Sequence, residues 1–409
     1  MEADVKRVVI TGLGVISSIG IGKDTFWDAL KKGQSGISTI ECFDTSSYPT
    51  HLGGEVKNFH AEEFVDTKKI PALSRAACFA LAAAKLSLSD AAINLADFDP
   101  AKTGVILGTT MGETQIVQKL NESFVKGGVA SVDEKLVPLC PANIIGAQVA
   151  RELQLRGVNF VIPTACAAGN YAIGYACDLL KNGEAQMILA GGVDAFSRIA
   201  FTGFNRLFAV APEKCQPFDK NRKGMILGEG AGVLLLEELK TAQKRKAPIY
   251  AEIIGYGLSC DAHHITSPHR RGIKKAMAKA LECAKIQAKD IDYISAHGTG
   301  TIQNDKEEAG AIKEMFVNKP PASSIKSILG HCMGAASAIE AISCCLTIKE
   351  SILPPTINFE TPDPECDIDC VPNEARKARV GIALNNSFAF GGNNCCVVFK
   401  KQSDNHNNP

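Results

Sequence analysis

One local pattern leaves this chain few ways to fold. An apolar run at residues 158–162 leads through Pro163-Thr164-Ala165-Cys166 into an Ala-rich apolar stretch that closes near Asn182-Gly183. A short apolar run bounded by turn residues predicts a buried strand, and Tyr171, Ile173, Ala176, Leu179 and Leu180 fall at helical spacing. Cys166 therefore stands where strand becomes helix. At a helix N-terminus, unpaired backbone N–H groups and the positive end of the macrodipole favour thiolate over thiol. That position makes Cys166 a candidate nucleophile among 15 cysteines, most of which are expected to pack as small hydrophobes.

The same alternation runs along the chain. Residues 6–16, 103–107, 186–191, 233–237, 249–257, 291–295, 382–386 and 395–399 read as strands. Residues 24–32 (capped by Asp24 or Thr25), 74–89, 141–152, 238–246, 273–284, 305–315 and 335–349 read as helices. Residues 37–66 read as irregular, 121–137 as a polar surface excursion, and 402–409 as a polar tail. Strands alternating with helices imply sheets covered by helices. Gly12-x-Gly14 closes the first strand in a turn, but it lacks the third glycine and the downstream acidic residue of a dinucleotide fingerprint. The dense glycines between Gln216 and Gly230 predict backbone packed on backbone. A second strand–turn–helix pattern opens at Gly330-His331 and echoes the one at Cys166, hinting that two similar parts meet at a shared site.

Charge excludes one class of function. Lys plus Arg and Asp plus Glu are 44 each, so the net charge is zero, unlike that of a polybasic nucleic-acid binder. No signal-like start and no apolar run of membrane-spanning length is present, so a cytoplasmic location is expected. The cysteines lack CxxC spacing, and the pairs Cys344-Cys345 and Cys395-Cys396 read as free core thiols of a reducing compartment.

Two histidines stand at the ends of apolar strands among small residues: His297 in Ala296-His-Gly-Thr-Gly-Thr301, and His331 after Gly330. Open α/β sheets bind ligands at the carboxyl ends of strands. His51, His60, His269 and His406 lie in polar surroundings, and His263-His264 with Asp261 lack companion ligands for a metal site. One Cys and two His serve either a Cys–His hydrolase or a carbon–carbon bond-forming enzyme. In the second case both imidazoles stabilise an enolate through Nε2–H groups. Lys326, five residues before His331, is placed to orient or polarise it.

At this point the sequence resembles the β-ketoacyl-acyl-carrier-protein synthases of type I/II, within the thiolase-like superfamily, from Arg7 to about Lys400. The resemblance rests on Arg7-Val-Val-Ile-Thr-Gly-Leu-Gly-Val, Thr164-Ala-Cys166, Asp219-Lys-Asn-Arg-Lys-Gly and Leu227-Gly-Glu-Gly-Ala-Gly. It continues through Ser259-Cys-Asp-Ala-His-His-Ile-Thr-Ser-Pro, His297-Gly-Thr-Gly-Thr, Lys326-Ser-Ile-Leu-Gly-His331-Cys-Met-Gly-Ala-Ala-Ser and Asn386-Ser-Phe-Ala-Phe390-Gly-Gly-Asn-Asn.

The resemblance implies an α/β fold in duplicated α-β-α-β-α layers. It also implies an N-terminal half (1–250) with the nucleophile and a C-terminal half (251–409) with both histidines. It implies a homodimer, an acyl carrier protein as partner, no cofactor, and a ping-pong condensation in which Cys166 takes the acyl group. His297 and His331 match the enolate-stabilising pair, and Lys326 the lysine behind His331. The backbone N–H groups of Cys166 and Phe390 match the oxyanion hole, and Phe390 the gate. Thr299 and Thr301 match the threonines on the pantetheine arm, Thr266 borders the same tunnel, and Met111 aligns with the residue closing the acyl pocket. Glu340, Asn385 and Asn386 match positions that hold a structural cation in some relatives, but Ser295 occupies another of those positions, so no metal is expected.

The chain also departs from the pattern. Ala-Ala-Gly-Asn-Tyr follows Cys166, Ala389 replaces the usual Gly before the gate, and Asn393 replaces a common Thr. Ala permits less backbone freedom than Gly, which predicts a stiffer gate. In the carrier-protein dock Lys68 remains, Pro71 and Ala72 stand where relatives carry a basic pair, and Arg206, Lys126 and Lys135 are the other candidate bases. A thiolase would need a second catalytic Cys where His331 stands, and Cys395-Cys396 read as strand interior. A non-catalytic chain-length-factor-like subunit would lack Cys166, so pairing with one as a heterodimer stays open while being one does not. The resemblance leaves fatty-acid elongation and a type II polyketide or polyene pathway as alternatives.

Overall fold

The structure is a computed structural model that describes residues 6–402. The end of the expected polar tail, 403–409, lies outside the described residues. Eleven strands make one continuous sheet; a two-residue strand, Gly20–Ile21, pairs only with the end of β1, and the other ten are β1 (Val8–Ser17), β2 (Thr103–Gly108), β3 (Asn159–Ile162), β4 (Met187–Asp194), β5 (Gly230–Glu238), β6 (Ala251–Cys260), β7 (Tyr293–Ser295), β8 (Ala322–Ser323), β9 (Ile382–Phe388) and β10 (Asn393–Lys400). Their spatial order is β3-β2-β4-β5-β1-β6-β10-β9-β7-β8.

That order contains a repeat. Outward from β1 the first five strands run first, fifth, fourth, second, third, and outward from β6 the last five do the same. The directions repeat as well. In each half the two inner pairs are antiparallel and the two outer pairs parallel. The halves join through three residue pairs between β1 and β6, from Val8–Ile253 to Ile10–Ala251.

Helices fill three layers. α1 (Arg75–Asp90) and α2 (Ile144–Glu152) cover the outer face of the first half, and α4 (Arg270–Ala284) with α5 (Ile302–Met315) covers the second. Between them lie α3 (Ala168–Asn182) and α6 (Ala336–Glu350), each touching strands of both halves. The residues dictate this sorting. α6 is buried all round from Ala336 to Ile348, as a helix in a central layer must be. α4 buries Ile273, Ala276, Met277, Ala280 and Leu281 and leaves its basic side to solvent. The expected α-β-α-β-α layering is what the chain forms.

Several local expectations change. Gly12 and Gly14 lie inside β1 rather than in a closing turn. A Cβ on Gly12 would stand 2.1 Å from Ser87 O and one on Gly14 1.8 Å from Ala83 O, so glycine lets α1 lie flush on the strand. The strand before Cys166 is not buried. It is the outermost strand, with a single neighbour, and Phe160 is 47% exposed. Residues 121–127 belong to an exposed helix, Thr114–Gly127, because Val117 and Phe124 keep helical spacing there. The helix Lys23–Lys31 is preceded by Gly22 and takes no side-chain cap from Asp24 or Thr25. The segment before His331 is the helical turn Lys326–Leu329, not a strand.

Candidate functional site

Each half contributes a tight turn before its central helix. Cys166 sits in the 3-10 turn Ala165–Ala167, directly ahead of α3. The matching turn ahead of α6 is Met333–Ala335. Ala165 has φ +51° and Met333 φ +50°, so the structural counterpart of Cys166 is Gly334, and the sequence echo at His331 was three residues early.

The turns bring the chemistry together. The sulfur of Cys166 and one ring nitrogen from each of His297 and His331 lie within 4.8 Å of one another, and the two rings meet edge to face at 5.4 Å. All three line a cavity of about 250 Å³, with Phe390, Thr266, Thr299 and Thr301 on its walls. Leu207, Phe208 and Ile302 line it toward solvent, and Phe208 is 86% exposed. The hydroxyls of Thr299 and Thr301 are 2.8 Å apart.

Electrostatics set the protonation state of each group. The Met333 N–H donates to Nδ1 of His331 at 3.2 Å, so that nitrogen is the acceptor and the ring proton sits on Nε2. His331 Nε2 is buried without a partner. Burial, reinforced by the Lys326 ammonium, holds both imidazoles well below the usual histidine range and therefore neutral. Backbone N–H groups of Cys166 and Phe390 are directed at the sulfur. The expectation of a ready thiolate is corrected here. Burial outweighs Lys326 and those N–H groups and pushes the Cys166 thiol up to about 11.

Lys326 is buried and its Nζ pairs with Glu340, whose carboxyl burial pushes up to about 7 against the pull of that ammonium. Glu340, Asn385 and Asn386, the set considered for a cation, each keep one oxygen without a hydrogen-bond partner, which is donor chemistry for a hard cation. The single charge among them is already matched by Lys326. The Cys166–His297–His331 set resembles a zinc donor set, yet His331 presents an N–H rather than a lone pair and Lys326 lies nearby. That polarity suits an anion. Of the other candidate ligands, His263 meets His269 edge to face at 4.9 Å and His264 Nδ1 accepts from Thr266 N.

The other sequence candidates divide. Phe390 lies 5.6 Å from Phe204, ring to ring, and Ala389 before it has φ −113°, where alanine is unstrained. Arg206 is exposed at the end of the helix Arg198–Arg206, next to Leu207 and Phe208 of the cavity wall. Lys68, Lys126 and Lys135 are exposed away from that wall. Met111 is not on the cavity wall. It packs in an apolar cluster with Phe196, Met225 and Met333, and of these Met225 reaches the wall.

Three features of the site have no counterpart in the sequence analysis. Glu308 accepts from His297 N and Gly298 N, both at 2.8 Å, and Asp305 accepts from Thr299 N, so the first turns of α5 clamp the loop that carries His297. Two acidic residues three apart, just after a His-Gly-Thr-Gly-Thr loop, were a usable signal. Lys223, exposed on the cavity wall, and the pairing of Glu340 with Lys326 left no such local mark.

Comparison with known proteins agrees on one lineage. Residues 5–242 match the family described as Beta-ketoacyl synthase, N-terminal domain, and residues 250–360 its C-terminal domain. The chain is 39% identical over 408 residues to 3-oxoacyl-[acyl-carrier-protein] synthase 2 of Synechocystis sp., covering 97% of this chain and 98% of the relative. Among solved structures it resembles the ishigamide ketosynthase/chain length factor, with TM-score 0.95, 42% identity and coverage of 97% and 100%. It also resembles a type II polyketide ketosynthase solved in complex with its acyl-carrier protein, with TM-score 0.91, 30% identity and coverage of 98% and 100%. Among the described residues, no helix is long and apolar enough to cross a membrane.

Proposed function

The chain belongs to the β-ketoacyl synthase family, and from that premise we propose how its residues divide the condensation. The reaction is an acyltransferase reaction. An acyl group and a malonyl group, each on an acyl carrier protein, give a β-ketoacyl carrier protein and carbon dioxide, as in fatty-acid elongation.

Cys166 takes the acyl group first. Its sulfur bonds to the acyl carbon, the carrier thiolate leaves, and the thiol proton goes with it. The malonyl carboxylate then departs as carbon dioxide and leaves its electron pair on the α-carbon. Nε2–H groups of His297 and His331 stabilise the enolate oxygen. The carbon attacks the acyl-sulfur carbonyl, whose oxygen accepts from the N–H groups of Cys166 and Phe390. The Cys166 sulfur leaves and takes one proton from solvent. Burial, reinforced by Lys326 in its pair with Glu340, keeps both imidazoles neutral. Thr266, Thr299 and Thr301 hold the incoming arm, and Met111 and its cluster yield to the acyl chain. Lys68 and Arg206 receive the acidic carrier protein. No metal or organic cofactor takes part in this scheme.

One observation carries this reading: a sulfur and two neutral imidazoles within 4.8 Å, one imidazole with its donor proton fixed on the free nitrogen. A Cys–His hydrolase that used His331 as its base would need a lone pair where His331 presents a donor. The open edge of β3, where Phe160 meets Tyr175 at 5.6 Å and both are half exposed, supports the proposed homodimer. The identity to the ishigamide ketosynthase/chain length factor favours a second reading, a ketosynthase of a specialised polyene or polyketide pathway paired with a chain-length-factor-like partner.

Intact-protein mass spectrometry with a panel of acyl carrier proteins tests both. Saturated chains loaded on Cys166 and discharged by malonyl carrier protein support elongation. Preferential loading of conjugated chains supports the specialised pathway. Equal loading of Cys166→Ala overturns the nucleophile assignment.

A further inference from the structure

Asp194 ends β4 and is fully buried at the junction of the two halves. Its Oδ1 accepts from the Thr109 hydroxyl at 2.6 Å and from Met111 N at 2.9 Å. Its Oδ2 accepts from Thr110 N at 2.8 Å and from Gly334 N at 2.6 Å. Four donors use the full acceptor capacity of a carboxylate. Three of them belong to the loop after β2, and the fourth belongs to the turn Met333–Ala335 in the other half.

That turn decides the state of His331, because the Met333 N–H occupies Nδ1 of the ring. Met333 has φ +50°, a left-handed backbone that a long side chain adopts only when its surroundings impose it. The surroundings here are close. A Cβ on Gly334 would stand 2.6 Å from Thr109 C and Thr110 N, and one on Gly192 would stand 2.3 Å from Gly334 O. The end of β4 thus seats the turn, and the Asp194 carboxylate is its one charged fastening. The His331 backbone is held independently, through His331 N to Ile226 O and Gly228 N to His331 O. Loss of Asp194 therefore changes what faces the ring nitrogen without displacing the residue.

We propose that Asp194 is a positioning residue: through Gly334 and Met333 it fixes His331 in the Nε2–H tautomer, and it ties that turn to the loop carrying Met111. The proposal rests on the reading that His331 donates through Nε2. It makes the decarboxylation half of the reaction, and not acyl loading, the half that needs Asp194.

The test compares the two half-reactions in Asp194→Asn. The amide keeps one oxygen for two donors but turns an NH2 group toward the remaining N–H groups. The Asp194 charge also raises the Cys166 thiol, so acyl loading is expected to hold or rise a few-fold, whereas carbon dioxide release from malonyl carrier protein is expected to fall roughly 10- to 100-fold, the scale of a misplaced catalytic group. In 15N-histidine NMR the His331 resonance is expected to leave the Nε2–H pattern. Should Asp194→Asn fail to fold, Thr109→Val removes one donor and is expected to slow decarboxylation a few-fold with loading unchanged. Equal losses in both half-reactions, or an unchanged His331 tautomer, overturn the proposal. His331→Ala separates the two claims. If decarboxylation survives it, the role of His331 fails. If decarboxylation is lost there but is normal in Asp194→Asn, only the role of Asp194 fails.

Discussion

The turns Ala165–Ala167 and Met333–Ala335 have nearly the same backbone and different tasks. Each precedes a central-layer helix, and each begins with a non-glycine residue near φ +50°. In the first half the middle residue is Cys166, whose side chain meets the cavity. In the second half it is Gly334, pressed against Thr109 and Thr110 so closely that a methyl group has no room. What lies opposite a turn, and not the turn itself, decides which half carries the nucleophile. The second half uses its turn to hold a histidine ring.

Five experiments break or sharpen that contrast. Cys166→Ala should lower condensation by at least ~10⁴-fold, the scale seen when a nucleophile is removed, as followed by β-ketoacyl product formation. His331→Ala should lower decarboxylation by roughly 10²–10³-fold, as for a lost oxyanion donor, while mass spectrometry still detects loaded Cys166. Gly334→Ala should cost stability, roughly 1–3 kcal/mol by overpacking, read from denaturant unfolding; an unchanged midpoint would show that the second turn has room after all. Alkylation of Cys166 by iodoacetamide should keep rising about tenfold per pH unit through pH 9, because the thiolate fraction grows until the pKa, near 11, is passed; a plateau below pH 8 would restore the sequence expectation of a ready thiolate. Ala389→Gly should change the loading rate only a few-fold, since Ala389 already has an unstrained φ; no change removes the stiffer-gate idea.

Much of this was legible beforehand. Helical spacing gave α3 and α6, though not their place in the central layer. Cys166, His297 and His331 were found because each stands among small residues at an element boundary, and the cavity gathers all three. The rest depended on long-range contact. The true counterpart of Cys166 is a glycine, which carries no chemical signal, whereas His331, three residues earlier, carries one. Gly12 and Gly14 looked like a turn because the helix that requires them comes some seventy residues later. The thiol's state was misjudged because local geometry shows the helix end but not the burial.

That burial has a further consequence. A thiol that burial pushes up to about 11 is held protonated at pH 7. Oxidation to sulfenic acid begins from the thiolate, so the resting sulfur offers peroxide little to react with. Burial thus keeps the nucleophilic sulfur protonated between encounters.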